Sequence, residues 1–401
     1  MRKVVLFPEV LWFQEGPGVR NNQYKKEGIK LLNVANFIDG NIDLSNTDRY
    51  ISEEEAYGKY KHFLVDKNDF IIASSGIKVE YFDTKMGFAK EEHLPLCMNT
   101  STIRFKVLDE NILNIRYFMY FLKSNKFKEQ LFREITGSAQ LNFGPSHLKK
   151  MKLTLISLDE QKRIANILDK VTELIQKRKK QLDKLDLLVK AKFVEMFGDP
   201  VKNEKGWEVI LLFDVTNKIA SGATPKGGKQ SYISKGISLI RSMNVYDGIF
   251  QYKELAHITE EQAKQLENVI IEKDDVLINI TGASVTRCCI VPCEILPARV
   301  NQHVMIVRCL KGILNNIFLN YQFINVSYKN KLIHIAEASG ATRQALTKQQ
   351  IENLKIIVPP IELQEQFAKF VEQTEKSKIK VNESLEKLET LKKALMQQYF
   401  N

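Results

Sequence analysis

The chain has 401 residues, 44% of them apolar and 27% charged, with a net charge of +11. That size and balance exclude a single small domain and a disordered chain, and predict two or three globular bodies with real cores. The positive excess favours polyanionic partners, nucleic acid first, through long-range attraction and counterion release.

At the start, Met1-Arg2-Lys3 is basic, but the apolar run Val4-Val5-Leu6-Phe7 stops at Pro8-Glu9, too short for a secretory signal. No apolar stretch has the ~18 residues that a membrane span needs. Five cysteines, an odd number, without Cys-x-x-Cys spacing among Cys288, Cys289 and Cys293, read as reduced thiols. The expectation is a cytoplasmic protein with no membrane association.

The chain is written twice. Gly28-Ile29-Lys30-Leu31-Leu32-Asn33-Val34 through Asp39-Gly40 returns 208 residues later as Gly236-Ile237-Ser238-Leu239-Ile240-Arg241-Ser242 through Asp247-Gly248. Each copy predicts a buried strand and then an Asp-Gly turn. Ser52-Glu53-Glu54-Glu55 and Thr259-Glu260-Glu261-Gln262 follow. Each predicts a helix opened by a capping box, a hydroxyl at the N-cap answered by Glu or Gln three residues on. Asp69-Phe70-Ile71-Ile72 matches Asp275-Val276-Leu277-Ile278, strands that end in Ser75-Gly76 and Thr281-Gly282. Asn99 and Asn301 align between the copies and read as structural hydrogen-bonders. Gly137-Ser138-Ala139-Gln140 corresponds to Gly340-Ala341-Thr342-Arg343, with Leu148 and Ile351 placed 11 residues after the glycines.

The long elements are the clearest. From Asp159 to Phe197 neither proline nor glycine occurs, and the 4-3 series Ile164, Leu168, Val171, Ile175, Arg178, Leu182, Leu185, Val189, Lys192, Met196 is apolar at eight of ten positions. That is a coiled-coil seam, closed by Gly198-Asp199-Pro200. The second copy, Phe367, Val371, Thr374, Lys378, Val381, Leu385, Leu388, Lys392, Leu395, Tyr399, is apolar at seven of ten. Neither seam can stay exposed, and two of equal length bury each other most simply. The short linker predicts antiparallel packing with a pseudo-twofold axis. Charge repeats as well, with 33 Lys+Arg against 27 Asp+Glu in residues 1–200 and 26 against 21 in residues 201–401. The predicted fold class is α+β. Two similar mixed α/β globular domains, 1–157 and 208–360, are joined by two long antiparallel coiled-coil helices, 158–198 and 361–401, with a linker at 199–207. Two domains on a rigid strut suit two half-sites on B-DNA.

Catalytic patterns fail on inspection. Gly222-Ala223-Thr224-Pro225-Lys226-Gly227-Gly228-Lys229 lacks the hydroxyl after the lysine that a phosphate loop needs for Mg²⁺. Glu160-Gln161-Lys162 opens a helix, where an acid is favourable in any case. His257 and His303 lack metal spacing. No catalytic, cofactor-binding or metal residues are expected.

Gly16-Pro17-Gly18-Val19-Arg20-Asn21-Asn22-Gln23-Tyr24 before Gly28-Ile29, and Gly206-Trp207-Glu208-Val209 before Ser221-Gly222-Ala223-Thr224-Pro225-Lys226, resemble the openings of target recognition domains in specificity subunits of type I restriction–modification enzymes. Leu158-Asp159-Glu160-Gln161-Lys162-Arg163-Ile164-Ala165 and Pro359-Pro360-Ile361-Glu362-Leu363-Gln364 resemble the segments that open the family's two long helices, although Ile156-Ser157 replaces the double proline in the first copy. The resemblance implies a non-catalytic, sequence-specific DNA-binding subunit. Each domain reads one half of a bipartite double-stranded target, and the helices set the spacer and dock two modification (methyltransferase) subunits. Restriction/translocase subunits complete the complex, and S-adenosylmethionine, ATP and Mg²⁺ belong on those partners. The alternatives are a self-contained DNA methyltransferase or nuclease with fused recognition halves, or a coiled-coil scaffold.

Residues that read DNA must be polar and presented by loops, with Arg suited to guanine and Asn or Gln to adenine. In the first copy these are Arg20, Asn21, Asn22, Gln23, Ser74, Ser75 and Gln140. In the second they are Thr224, Lys226, Lys229, Gln230, Thr281, Ser284, Thr342, Arg343 and Gln344.

Overall fold

The computed structural model describes residues 3–135, 141–338 and 344–400. It divides into two compact units. One comprises residues 1–177 with 384–401, the other residues 178–383. The boundary cuts both long helices, Leu158–Phe197 and Ile361–Phe400, so neither helix forms a body of its own. Each has 40 residues and runs about 60 Å at 1.5 Å per residue.

In the first unit a four-stranded antiparallel sheet runs in the order Leu11–Glu15, Thr102–Val107, Phe70–Ala73, Met86–Phe88. A three-stranded mixed sheet holds Ile29–Leu32 at its centre, antiparallel to Tyr50–Ile51 and parallel to Leu96–Met98. A ribbon of Lys3–Leu6 with Lys152–Leu155 completes the frame. The Asp39-Gly40 turn joins Phe37–Ile38 to Asn41–Ile42, with Asp39 at φ 48° and Gly40 at φ 78°, the left-handed pair that a tight hairpin turn requires. Helix Ile115–Lys123 starts at Asn114, whose Oδ1 accepts from the Arg116 and Tyr117 amides at 3.1 and 3.0 Å. It lays Phe118 against Phe7 and Phe105, each at 5.1 Å between ring centroids.

The second unit repeats this plan. Its sheets are Thr216–Ser221, Val304–Cys309, Val276–Asn279, Cys288–Ile290 and Ala256–Ile258, Ile237–Ile240, Ala298–Val300, with the ribbon Val209–Leu211 on Lys355–Ile357. Helix Asn316–Ile324 is capped by Asn315 just as its counterpart is by Asn114.

Both seams hold. In the first unit Ile164, Leu168, Val171 and Ile175 are buried, with Leu395 and Tyr399 of the other helix half-buried. In the second unit Val189, Phe367, Val371, Thr374 and Val381 are buried. Two of the seam's polar exceptions find partners, although Arg178 Nε is buried without one. Lys378 bridges Asp186 and Glu375, and Arg178 Nη1 donates to Gln181 at 2.8 Å. Within each unit the start of one long helix packs beside the end of the other, so the packing is antiparallel. Phe400 sits on Tyr117 and Phe121 at 5.2 and 6.4 Å, and Phe197 sits on Phe318 and Phe367 at 4.7 and 5.6 Å. A buried phenylalanine contributes ~1.5–3 kcal/mol, enough to stop a helix end from fraying.

Two buried glutamines lock helix to globular body in the same way. In the first unit Gln161 Oε1 accepts from the Asn114 amide (2.9 Å) while Nε2 donates to the carbonyls of Ile112 and Ile156 (both 2.9 Å). In the second Gln364 Oε1 accepts from Asn315 (2.9 Å) while Nε2 donates to Ile313 (3.0 Å) and Pro359 (2.7 Å). In the sequence Gln161 stands in Glu160-Gln161-Lys162 and in the segment that opens the first long helix. Its role is to satisfy three backbone groups.

The capping boxes differ. Thr259 and Gln262 exchange both hydrogen bonds, at 3.0 and 3.2 Å. Ser52 accepts from the Glu55 amide at 3.2 Å, but the Glu55 carboxylate is drawn to Gln23, so the first copy holds half of the expected box.

Candidate nucleic-acid interface

Register determines which loops meet. In the first unit Glu15, the end of its strand, pairs with Ile103, and Ala73, the end of another, pairs with Thr102. Both strands therefore finish where Thr102–Val107 begins. The loops after Glu15, after Ala73 and before Thr102 share one end of the sheet. Segment 141–144 joins them through Phe143 N to Ser74 O (2.9 Å) and Leu141 N to Ile77 O (2.7 Å). The second unit repeats the construction. Ser221 pairs with Met305 and Asn279 with Val304, and Leu346 N donates to Ile280 O at 2.8 Å.

Two glycines let the loops approach. A Cβ on Gly16 would lie 2.2 Å from the Asn99 carbonyl oxygen, and one on Gly222 would lie 1.8 Å from that of Val300. Only glycine allows the amides of these residues to reach Thr102 O (3.0 Å) and Asn301 O (3.2 Å). Asn99 and Asn301, both 5% exposed, act as the structural hydrogen-bonders that the sequence suggested. Asn99 Oδ1 accepts from the Thr100 amide at 2.8 Å, and Asn301 Oδ1 from the His303 amide at 3.0 Å.

The expected readers fall into four groups. Arg20, Asn21 and Asn22 are exposed on the loop that leaves the sheet end of the first unit, as are Thr224, Lys226, Lys229 and Gln230 in the second. Ser75 and Thr281 lie at the sheet ends. Ser75 Oγ donates to Asn142 Oδ1 (2.8 Å), and Thr281 Oγ1 is 2.6 Å from His303 Nδ1. Ser284 is half-buried in the turn after Thr281. Gln344 holds that turn through its backbone carbonyl, which accepts from Gly282 N at 2.9 Å, while its side chain donates to Glu337 at 2.9 Å.

Two candidates are structurally committed. Gln23 Nε2 donates to Glu55 Oε1 (2.7 Å) and Tyr60 OH (3.0 Å), tying the loop to the helix. Ser74 is fully buried beneath segment 141–144. Gln140, Thr342 and Arg343 lie outside the described residues.

His303, considered in the sequence only as a metal ligand, joins these edges with Asn142, Thr100 and Gln302, which the sequence did not mark. Their only signal was position, just after an aligned asparagine or just after an aligned glycine segment. In the second unit Thr224 Oγ1 donates to Gln302 Oε1, and Gln302 Nε2 lies 3.2 Å from His303 Nε2. The electrostatics differ too. Burial raises the Glu15 carboxyl above its usual range at the first edge. Exposed Lys226 and Lys229 stand on the second. Among the described residues no His, Cys, Asp and Glu cluster could hold a metal ion, and no helix is long and apolar enough to cross a membrane.

The model of the type I restriction modification DNA specificity domain matches residues 10–185 and again 204–393. The chain belongs to the family of type I restriction–modification specificity subunits. A putative type I restriction enzyme MjaX specificity subunit of Methanocaldococcus jannaschii is 26% identical over 363 residues, 86% of this chain and 80% of that protein. The EcoBI specificity subunit of Escherichia coli is 21% identical over 94% of this chain and 80% of its own length. The fold resembles the crystal structure of the S subunit of a type I restriction–modification system from M. genitalium (TM-score 0.56, 16% identity, 100% of this chain and 96% of that one). As a specificity subunit the chain is a DNA-recognition component, not a catalytic one. Its two tandem family domains correspond to the repeat read in the sequence.

Proposed function

We propose that each unit of this specificity subunit reads one half of a bipartite, asymmetric duplex target through the loops at its sheet end. The observation that carries this reading is the duplicated edge, one scaffold with two different sets of exposed polar side chains. Arg20, Asn21, Asn22 and Ser75, with Gln140, serve the first half. Thr224, Lys226, Lys229, Gln230, Thr281 and Ser284, with Thr342, Arg343 and Gln344, serve the second. Gln23 and Ser74 act from behind, by shaping the loops. Lysines and arginines at the edges supply phosphate attraction, and the amides and hydroxyls meet base edges.

The long helices set the spacer between half-sites and dock two modification subunits in the cytoplasm. Those subunits carry S-adenosylmethionine, and restriction/translocase subunits use ATP and Mg²⁺. Methylome sequencing of cells with and without the gene tests the whole. A motif of two short specified blocks around an unspecified gap disappears on deletion. An unchanged methylome contradicts the reading. For the assembled complex, affinity falls steeply with salt. A mere coiled-coil scaffold shows no such dependence.

A further inference from the structure

The repeated loop before Thr102 and before Val304 sets one side chain apart in each unit. Asn99 and Asn301 are buried and hold the loop, and the next residue, Thr100 or Gln302, is exposed at its tip. Both tips reach across to the first loop of their unit. Thr100 Oγ1 donates to Pro17 O at 3.1 Å, and Gln302 Oε1 accepts from Thr224 Oγ1. The scaffold is common and the chemistry at its apex is not.

In the second unit the tip belongs to a chain of hydrogen bonds. With Thr224 donating to Gln302 Oε1, the Gln302 amide N–H donates to His303 Nε2 (3.2 Å), and His303 Nδ1–H donates to Thr281 Oγ1 (2.6 Å). The carboxamide is thereby held from both ends, which removes much of the rotamer entropy that a long side chain loses on binding. One amide N–H and one Oε1 lone pair stay unspent. A donor and an acceptor side by side match N7 and the N6 amino group of adenine in the major groove. Thr100 has one hydroxyl, already engaged, and a methyl group.

We propose that position 302, and its counterpart 100, is the specificity-determining position of each unit, with Gln302 reading an adenine in the second unit's half-site. This rests on the reading that each unit binds a half-site. The test uses the full chain in its native complex. Methylome sequencing of the wild type comes first, and absence of a bipartite motif there defeats the underlying reading alone.

With the motif in hand, Gln302→Ala relaxes one adenine position in one half, and Thr100→Ala alters only the other half. An unchanged motif in Gln302→Ala, or both variants altering the same half, overturns the proposal. Should Gln302→Ala abolish methylation altogether, the wild-type complex still decides. Duplexes carrying 7-deazaadenine at each adenine of the two half-sites in turn lose about tenfold in affinity at one position of the second unit's half, the scale of losing the N7 hydrogen bond of a bidentate contact. No loss at any adenine of that half, or a half-site without adenine on either strand, overturns the proposal.

Discussion

The two units share a frame and differ at the edge. Gln161 and Gln364 satisfy the same three backbone groups in their units, and Asn99 and Asn301 hold the same loop. Beyond the frame the likeness ends. The first edge closes with Ser75 on Asn142, the second with a chain from Thr224 through Gln302 and His303 to Thr281. Buried polar groups cannot change singly without leaving a partner unsatisfied, whereas exposed loop residues can. A duplicated reader therefore keeps its locks and varies its tips.

The largest expected difference between the units comes from their Arg–Asp ion pairs. Arg104 and Asp69 are 5% and 4% exposed at 2.9 Å, while Arg308, 19% exposed, holds both Asp275 and the outlying Glu272. Asp69→Ala strands a buried guanidinium and is expected to cost about 3–5 kcal/mol in urea unfolding. Asp275→Ala costs less, because Arg308 keeps Glu272 and reaches solvent. Equal costs would show that the two pairs do not differ as described.

Gln161→Leu and Gln364→Leu come next, at about 2–3 kcal/mol each from three backbone groups left without their partner. Here the two values should agree within ~1 kcal/mol. A silent variant on one side would break the claim of a common lock. Gly16→Ala and Gly222→Ala force a Cβ into backbone, with an overpacking cost of ~1–3 kcal/mol and weakened binding to the corresponding half-site alone.

The smallest effect concerns a half-buried position that the repeat does not share. A Cβ at Gly40 would lie 3.8 Å from the Lys123 amine, where one at Gly248 would lie 3.6 Å from Ile324 Cδ1. Burial, with Lys392 acting in the same direction, pushes the Lys123 ammonium down to about 8. The fold therefore disfavours the charged form that the unfolded chain keeps up to 10.5. Lys123→Ile should stabilise the protein by about 1–2 kcal/mol at pH 7, solvent near the amine limiting the gain. The difference from wild type should fade as pH rises from 8 to 10.5. A gain that persists above that range would assign the effect to packing instead.

Much of the frame was legible in the sequence. Each heptad seam, Asp-Gly turn and helix stop rests on local chemistry and survives folding unchanged. The edge was legible only in outline. The glycine-rich loops pointed to Arg20 and Thr224, but Ser74 looks no different in sequence from Ser75. Which of them is covered depends on segment 141–144, nearly 70 residues away. Gln23 has the composition of a reader and the hydrogen bonds of a strut. Gln302 and His303 gain their significance from partners 78 and 22 residues distant, which periodicity cannot show.

On the proposed reading, each unit reads its half-site independently of the other. The most direct measurement exchanges residues 1–157 for the corresponding segment of another specificity subunit and sequences the methylated sites in cells carrying the hybrid. The expected result is a new first block, with the second block and the gap retained. A motif changed in both blocks would contradict it.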